Sequence, residues 1–295
     1  MKRFSKMFEM FIIFVGLVVI LSCSNQVQDI SSDITYDFSS DGEPIDVIIL
    51  AGQSNATGSC LNEGLKNYVT SEEYALFTRG FENQKIIWYL DWSNYSMPPV
   101  SEQLTNVKMG QGLPGIGFGP EIGISYVLNK NNKEVVIIKV TSPGSGIGTF
   151  VNDNGLAPFF ELFIFNSMKE LNDKGYSPKI KCMCWMQGER DSSSVCLAFN
   201  YEKNEELLVS EIRNKFGKEI VFINAKITDW ELVSSPCYQN IVNDAKIKNV
   251  NKDIHNYMIN SDGLRKQVYD LSHYDAYSQF ELGKRFGEMI LSKCY

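Results

Sequence analysis

The stretch Asp46-Val47-Ile48-Ile49-Leu50-Ala51-Gly52-Gln53-Ser54-Asn55 decides how the rest of the chain is read. An unbroken apolar, largely β-branched run without polar alternation is the pattern of a strand buried on both faces, as in a parallel sheet. It stops at Gly52, which is free to turn, and Ser54 then opens the next element. A serine on such a strand-to-helix turn has its hydroxyl exposed and its backbone N–H directed at the same space. The same residues also suit a plain glycine turn followed by a serine helix cap.

Four further apolar runs follow: Lys85 to Leu90, Glu134 to Thr141, Ile180 to Met186 and Glu219 to Ile227. Between them Pro120 to Asn131, Pro158 to Lys174 and Tyr201 to Phe216 have helical spacing, and Ala276 to Leu291 closes the chain as an amphipathic helix. Strands alternating with helices predict an α/β fold with a mostly parallel, five-stranded sheet covered on both faces. A short sixth run, Tyr257 to Asn260, precedes the last turn, and Asp91 to Gly119, rich in Ser, Asn, Gly and Pro, is expected as a long loop. In such sheets ligands bind beyond the carboxyl ends of the strands, where the chemistry should therefore sit.

One such place is Asp270-Leu271-Ser272-His273, ahead of the final helix. An acid three residues before a histidine can hold the imidazole in the tautomer that accepts a proton. Asp262 and Asp275 compete for the acid's role, and His255, the only other histidine, is expected as a surface residue. With two histidines in the chain, a zinc cluster is a poor reading.

Further signals fall after the other runs: Gln187-Gly188-Glu189 after the fourth, Lys139 to Ser145 with Pro143-Gly144 at the end of the third, and Phe118-Gly119-Pro120-Glu121 at a helix start. Together with Gly52-Gln53-Ser54-Asn55 and Asp270-x-x-His273, in this order, they resemble the sialate O-acetylesterase and acetyl xylan esterase group of the SGNH hydrolase superfamily. The resemblance runs from about Asp46 to Met289. It implies a three-layer α/β/α fold of flavodoxin-like type, no metal or other cofactor, and acyl transfer from an acetylated carbohydrate through an acetyl-serine. Ser54 matches the nucleophile, His273 the general base and Asp270 the acid. The implied oxyanion donors are the Ser54 N–H, the Gly144 N–H and the Gln187 side chain.

Gln53, Asn55, Glu189 and Arg190 are expected to line the site or bind substrate. Glu189 suits a second acid behind His273 or a carboxylate that fixes its own loop. Arg190 stands where the family commonly has a small residue; its guanidinium suits a sugar carboxylate or a pairing with Glu189, Asp191 or Glu121. Pro143 replaces one of two glycines common in the family and supplies no N–H. Trp92, Tyr95 and Trp185 suit sugar stacking, although core packing is the better use of Trp185. Two other functions stay open on the residues alone: a non-catalytic glycan-binding surface lipoprotein on the same fold, and a lipase or thioesterase of the superfamily.

The beginning of the chain is of another kind. Residues 1–22 carry Lys2, Arg3 and Lys6, then an apolar run from Met10 to Leu21, the layout of a secretory signal. The ending Ile20-Leu21-Ser22-Cys23 resembles a bacterial lipobox, which implies cleavage before Cys23, lipid on its thiol and an extracytoplasmic protein held to a membrane. Residues 23–44, rich in Ser, Asp and Gln, read as a tether, and 45–295 as one domain. The formal net charge is −7; Lys2, Arg3, Lys6 and Glu9 give the signal +2, so the remainder carries −9. That acidity argues against a nucleic-acid partner, and nothing in the pattern implies an obligate protein partner. Cys60, Cys182, Cys184, Cys196, Cys237 and Cys294 lie beyond Cys23 in a disulfide-permissive setting, with no pairing fixed by sequence. Cys23→Ser is expected to leave an uncleaved or soluble product that takes up no labelled palmitate; unchanged label and membrane retention would contradict the lipobox.

Overall fold

A computed structural model of the chain describes residues 36, 38, 41–113, 115–151, 155–228 and 237–295. The signal segment, Cys23 and most of the expected tether lie outside the described residues. Strand β1 (Glu43–Gly52) contains the apolar run read first, and its last six residues are buried. It pairs in parallel with β6 (Val135–Thr141) on one side and β7 (Tyr176–Met186) on the other. Beyond β6 lies β3 (Gln84–Leu90), and beyond β7 lies β8 (Val221–Ala225), all parallel. The five apolar runs thus form five contiguous central strands, and a strand buried on both faces needs such uninterrupted hydrophobicity.

Among the described residues the sheet has seven strands, not five, in the order β4-β3-β6-β1-β7-β8-β9. The sixth run supplies β9 (Asn256–Ile259), parallel to β8. At the other edge β4 (Val100–Asn106) runs antiparallel to β3, inside the segment expected as a loop. An edge strand needs one pairing partner and tolerates exposed polar residues, so its apolar signal is weak. Side-chain bonds from Trp88 Nε1 to Glu102 (2.9 Å) and from Lys85 Nζ to Asn106 (2.6 Å) add to the ladder. A two-stranded pair, β2 (Cys60–Leu61) with β5 (Gly117–Phe118), lies apart from this sheet.

Helices flank the sheet. A four-residue helix α1 (Ser54–Thr57) follows β1, and α2 (Ser71–Arg79) begins with a capping box between Thr70 and Glu73. The expected helices appear as α3 (Glu121–Lys130), α4 (Ala157–Asp173), α5 (Val195–Phe216) and α7 (Ala276–Cys294), and α6 (Gln239–Lys252) joins them. α3 packs on α7 and α5 on α6. The first crossing depends on a glycine pair: a Cβ at Gly123 would lie 2.3 Å from the Phe280 carbonyl oxygen, and one at Gly283 2.2 Å from that of Pro120.

Residues 36–295 pack as one compact unit. Its edge reaches into the expected tether, because Tyr36 stacks on Phe165 and Phe216 and donates its N–H to the Lys215 carbonyl. All six cysteines past Cys23 are free thiols, with Cys60, Cys182 and Cys184 buried.

Candidate active site

The turn after β1 is built for close approach. Gly52 has φ 140°, and a Cβ there would lie 2.0 Å from the Met186 carbonyl oxygen. This brings the ends of β1 and β7 together, with the Gln53 N–H donating to that same oxygen at 3.1 Å. Ser54 follows at the start of α1, 5 % exposed.

Asn55, fully buried beside it, uses both ends of its amide. Nδ2 donates to Glu189 Oε1 (2.7 Å) and more distantly to the Ser272 carbonyl (3.5 Å), while Oδ1 accepts from the Tyr274 N–H (3.2 Å). The residues on both sides of His273 are therefore held by the residue next to Ser54, although more than 200 positions separate them in sequence. The Gln279 side chain adds a bond of 2.8 Å to the Asn55 carbonyl. His273 Nδ1 meets Asp270 Oδ2 at 2.5 Å, and the Asp270 Oδ1 accepts from the Ser272 N–H at 2.9 Å. The rival acids are engaged elsewhere: Asp262 with Lys226, and Asp275 with Arg265 and the Ser278 N–H that it caps. His255 lies between Glu219 and Asp253, away from this cluster.

Glu189 is buried, and burial holds its carboxyl above the usual range, opposed by the Asn55 bond and by the nearby charges of Lys246 and His273. It fixes its loop through Asn55. Gln53 is also a brace: its buried Oε1 accepts from the Arg190 N–H (3.1 Å) and from Gln187 Nε2 (3.2 Å). The resemblance makes the Gln187 side chain an oxyanion donor, and here the geometry disagrees. Its fully buried amide nitrogen faces Asp191 Oδ2 (2.5 Å), the Ser145 carbonyl (3.0 Å) and Gln53, so both its hydrogens are engaged within the protein. Gln187 holds the turn after β6 instead.

That turn carries Gly144 with φ 75°, a left-handed conformation that suits glycine. Asn94 donates to the Pro143 carbonyl and to Ser145 Oγ, both at 2.9 Å, and Ser142 Oγ donates to Asp91. These bonds bring the loop after β3 over the turn, with the Tyr95 hydroxyl 3.4 Å from where a Gly144 Cβ would lie. Tyr95 is 53 % exposed, whereas Trp92 and Trp185 are buried, the latter bonded to the Tyr201 hydroxyl. Arg190 is exposed and, among the described residues, has none of the expected ion-pair partners. Glu189 is held by Asn55, Asp191 by Gln187 and the Ile147 N–H, and Glu121 by Lys139 and the Gly119 N–H.

Two buried lysines support the site from below: Lys139 opens the Lys139 to Ser145 motif without a role of its own there, and Lys246 lies outside the motifs. Lys139 on β6 donates to the Thr57 and Gln111 carbonyls and to Glu121, each at 2.8 Å. Lys246 on α6 donates to the Gln187 carbonyl (2.6 Å), the Ala225 carbonyl (2.7 Å) and Asn224 Oδ1 (2.9 Å), and its burial lowers its pKa to about 8. A lysine inside the run Val135–Thr141 is a visible sequence anomaly; Lys246, in a polar helix, leaves no such trace.

A mostly parallel open sheet with a serine after its central strand, on a turn that Asn55 bonds to an aspartate–histidine loop before the last helix, is the architecture of an α/β/α hydrolase. A sequence profile described as carbohydrate esterase, sialic acid-specific acetylesterase, matches residues 44–292, and the chain belongs to this family. Solved structures of the same fold include a protein of Arabidopsis thaliana, 18 % identical over 85 % of this chain and 100 % of that one, with TM-score 0.62. NanS is 14 % identical over 86 % and 98 %, TM-score 0.60, and a carbohydrate acetylesterase from Xanthomonas citri 12 % over 85 % and 57 %, TM-score 0.59. No curated protein matches the chain by sequence. The protein is a carbohydrate esterase, a carboxylic ester hydrolase.

Asp191 gives the site a pH signature. Burial raises its carboxyl pKa to about 6, so the folded chain holds this proton where the unfolded chain has lost it. Stability should therefore fall as pH rises from about 4 to about 7, by on the order of 3 kcal/mol from this group. Urea unfolding across that range should show the decline in the wild type and a flatter curve for Asp191→Asn; parallel curves would contradict the assignment.

Proposed function

We propose that the chain removes O-acetyl groups from a sugar through an acetyl-Ser54 intermediate, with His273 as general base and acid and Asp270 as its orienting carboxylate. The observation that carries this reading is the Asp270–His273 contact of 2.5 Å on a loop bonded to Asn55, the residue next to Ser54. With Nδ1 bonded to the carboxylate, Nε2 is the nitrogen left to accept the serine proton. Ser54 Oγ then bonds the acetyl carbon, and the negative charge moves to the carbonyl oxygen. The Ser54 and Gly144 N–H groups are the donors proposed for that oxygen, in a site where such donors contribute about 3 to 4 kcal/mol each. His273 returns the proton to the sugar oxygen as the C–O bond breaks, and water repeats the sequence to release acetate.

The family's description supports an acetylated sialic acid as substrate. The lipobox-like ending at Cys23 supports an enzyme outside the cytoplasm, held to a bacterial membrane by lipid. Acetylated plant polysaccharide is the competing substrate.

Ser54→Ala and His273→Ala should each lower kcat on a small acetyl ester by about 10⁴-fold or more, and the double variant should fall little further, because members of a triad are strongly non-additive. Asp270→Asn should cost less than either. Thermal unfolding of Ser54→Ala should stay close to wild type, since only a hydroxyl is lost. Near-wild-type turnover by folded Ser54→Ala would replace the esterase reading with that of a glycan-binding protein.

A further inference from the structure

Arg190 is held beside the turn that carries Ser54 by its backbone, not by its charge. Its N–H bonds to the Gln53 side chain, one residue before Ser54, and its carbonyl accepts from Ser193 Oγ at 2.7 Å and from the Ser193 N–H at 3.3 Å. The side chain is exposed, and no ion pair or hydrogen bond to its guanidinium is found among the described residues. The neighbouring carboxylates cannot turn to it without loss. Asn55 holds Glu189, Gln187 and Ile147 hold Asp191, and Lys139 and Gly119 hold Glu121, all of them buried.

Three of the other arginines are committed, whereas Arg79, exposed at the end of α2, is not among the described residues' ion pairs or hydrogen bonds. Arg213 pairs with Asp253 and Asn256, Arg265 pairs with Asp275 and lies over the rings of Tyr68 and Tyr277, and Arg285 bonds to the Asn260 and Asp262 carbonyls. An uncommitted guanidinium fixed at its root beside the nucleophile turn is a fork of donors suited to a planar anion. In a chain whose residues 23–295 carry a net charge of −9, it also offers a negative substrate a local attraction beside the turn that carries Ser54.

We propose that Arg190 binds the carboxylate of an acetylated sugar acid while the O-acetyl group lies on Ser54, making it the residue that selects sugar acids over neutral acetylated sugars. This inference rests on the esterase reading. The carboxylate is the discriminating group, because a neutral polysaccharide ester presents nothing for the guanidinium to pair with.

The test compares an O-acetylated N-acetylneuraminic acid with its methyl ester, which keeps the acetyl group and removes the charge. The full chain, Arg190→Gln and Arg190→Lys are assayed on both, with nitrophenyl acetate as a substrate lacking any sugar. The wild type should favour the free acid in kcat/KM by about tenfold or more, the usual worth of a hydrogen-bonded charge pair. Arg190→Gln should bring the acid-to-ester ratio close to one, chiefly through KM, and Arg190→Lys should fall between, having the charge without the fork. Because the ratio is read, a general loss of activity in a variant cancels. A wild-type enzyme that cleaves nitrophenyl acetate and shows no preference for the acid, or a ratio that Arg190→Gln leaves unchanged, overturns the inference and leaves the esterase reading standing. Failure of the wild type on all three substrates removes that reading and this inference with it.

Discussion

The Asn55 amide is the contact on which the site depends. It joins three pieces of chain that sequence keeps far apart: the turn after β1, the loop after β7 through Glu189, and the segment after Asp270 through Ser272 and Tyr274, with Gln279 bonded to the Asn55 backbone carbonyl. A buried side chain with both its donor and acceptor used has one stable orientation, since turning it over would leave several polar groups without partners at about 1 to 3 kcal/mol each. That orientation ties the loop that carries His273 to the turn that carries Ser54. Asp270 and His273 need only find each other locally, three residues apart; the turn that carries Ser54 is remote in sequence, and Asn55 bonds it to their loop.

Beneath this contact lie two buried cations. Lys139 and Glu121 form a pair at 2.8 Å with both side chains fully buried, and Lys246 sits among Glu205, Glu189 and Asp191. Such pairs add little net stability over apolar packing, because desolvation offsets their attraction. Their value here is geometric. Each ammonium gives two of its three donors to backbone carbonyls at the base of a site loop, Thr57 and Gln111 for Lys139, Gln187 and Ala225 for Lys246. Donors held in this way keep the turns in place before any substrate arrives, which is the condition for strong electrostatic stabilisation of a transition state.

How far this was legible in the sequence follows from the kind of signal each part carries. The central strands were visible because burial on both faces demands uninterrupted apolar residues, and the ends of those strands pointed to Ser54, Gln187 and Gly144. Strand β4 was hidden because an edge strand needs only backbone bonds, and its Ser101, Glu102 and Gln103 resemble a loop. Helix α6 was hidden because Asn243, Lys246 and Asn249 occupy buried positions where apolar residues would have shown periodicity. The reassignment of Gln187 from oxyanion donor to brace depends on what surrounds its amide, which no spacing records. The freedom of Arg190 is of the same kind, since it is set by where three other carboxylates found their partners.

The central claim, that acyl transfer passes through Ser54, is most directly tested by treating the full chain with a serine-directed fluorophosphonate and locating the adduct by peptide mass. The account predicts a single adduct on Ser54, forming in step with the loss of acetylesterase activity. Inactivation by an adduct elsewhere, or full activity retained by a protein labelled at Ser54, would contradict it.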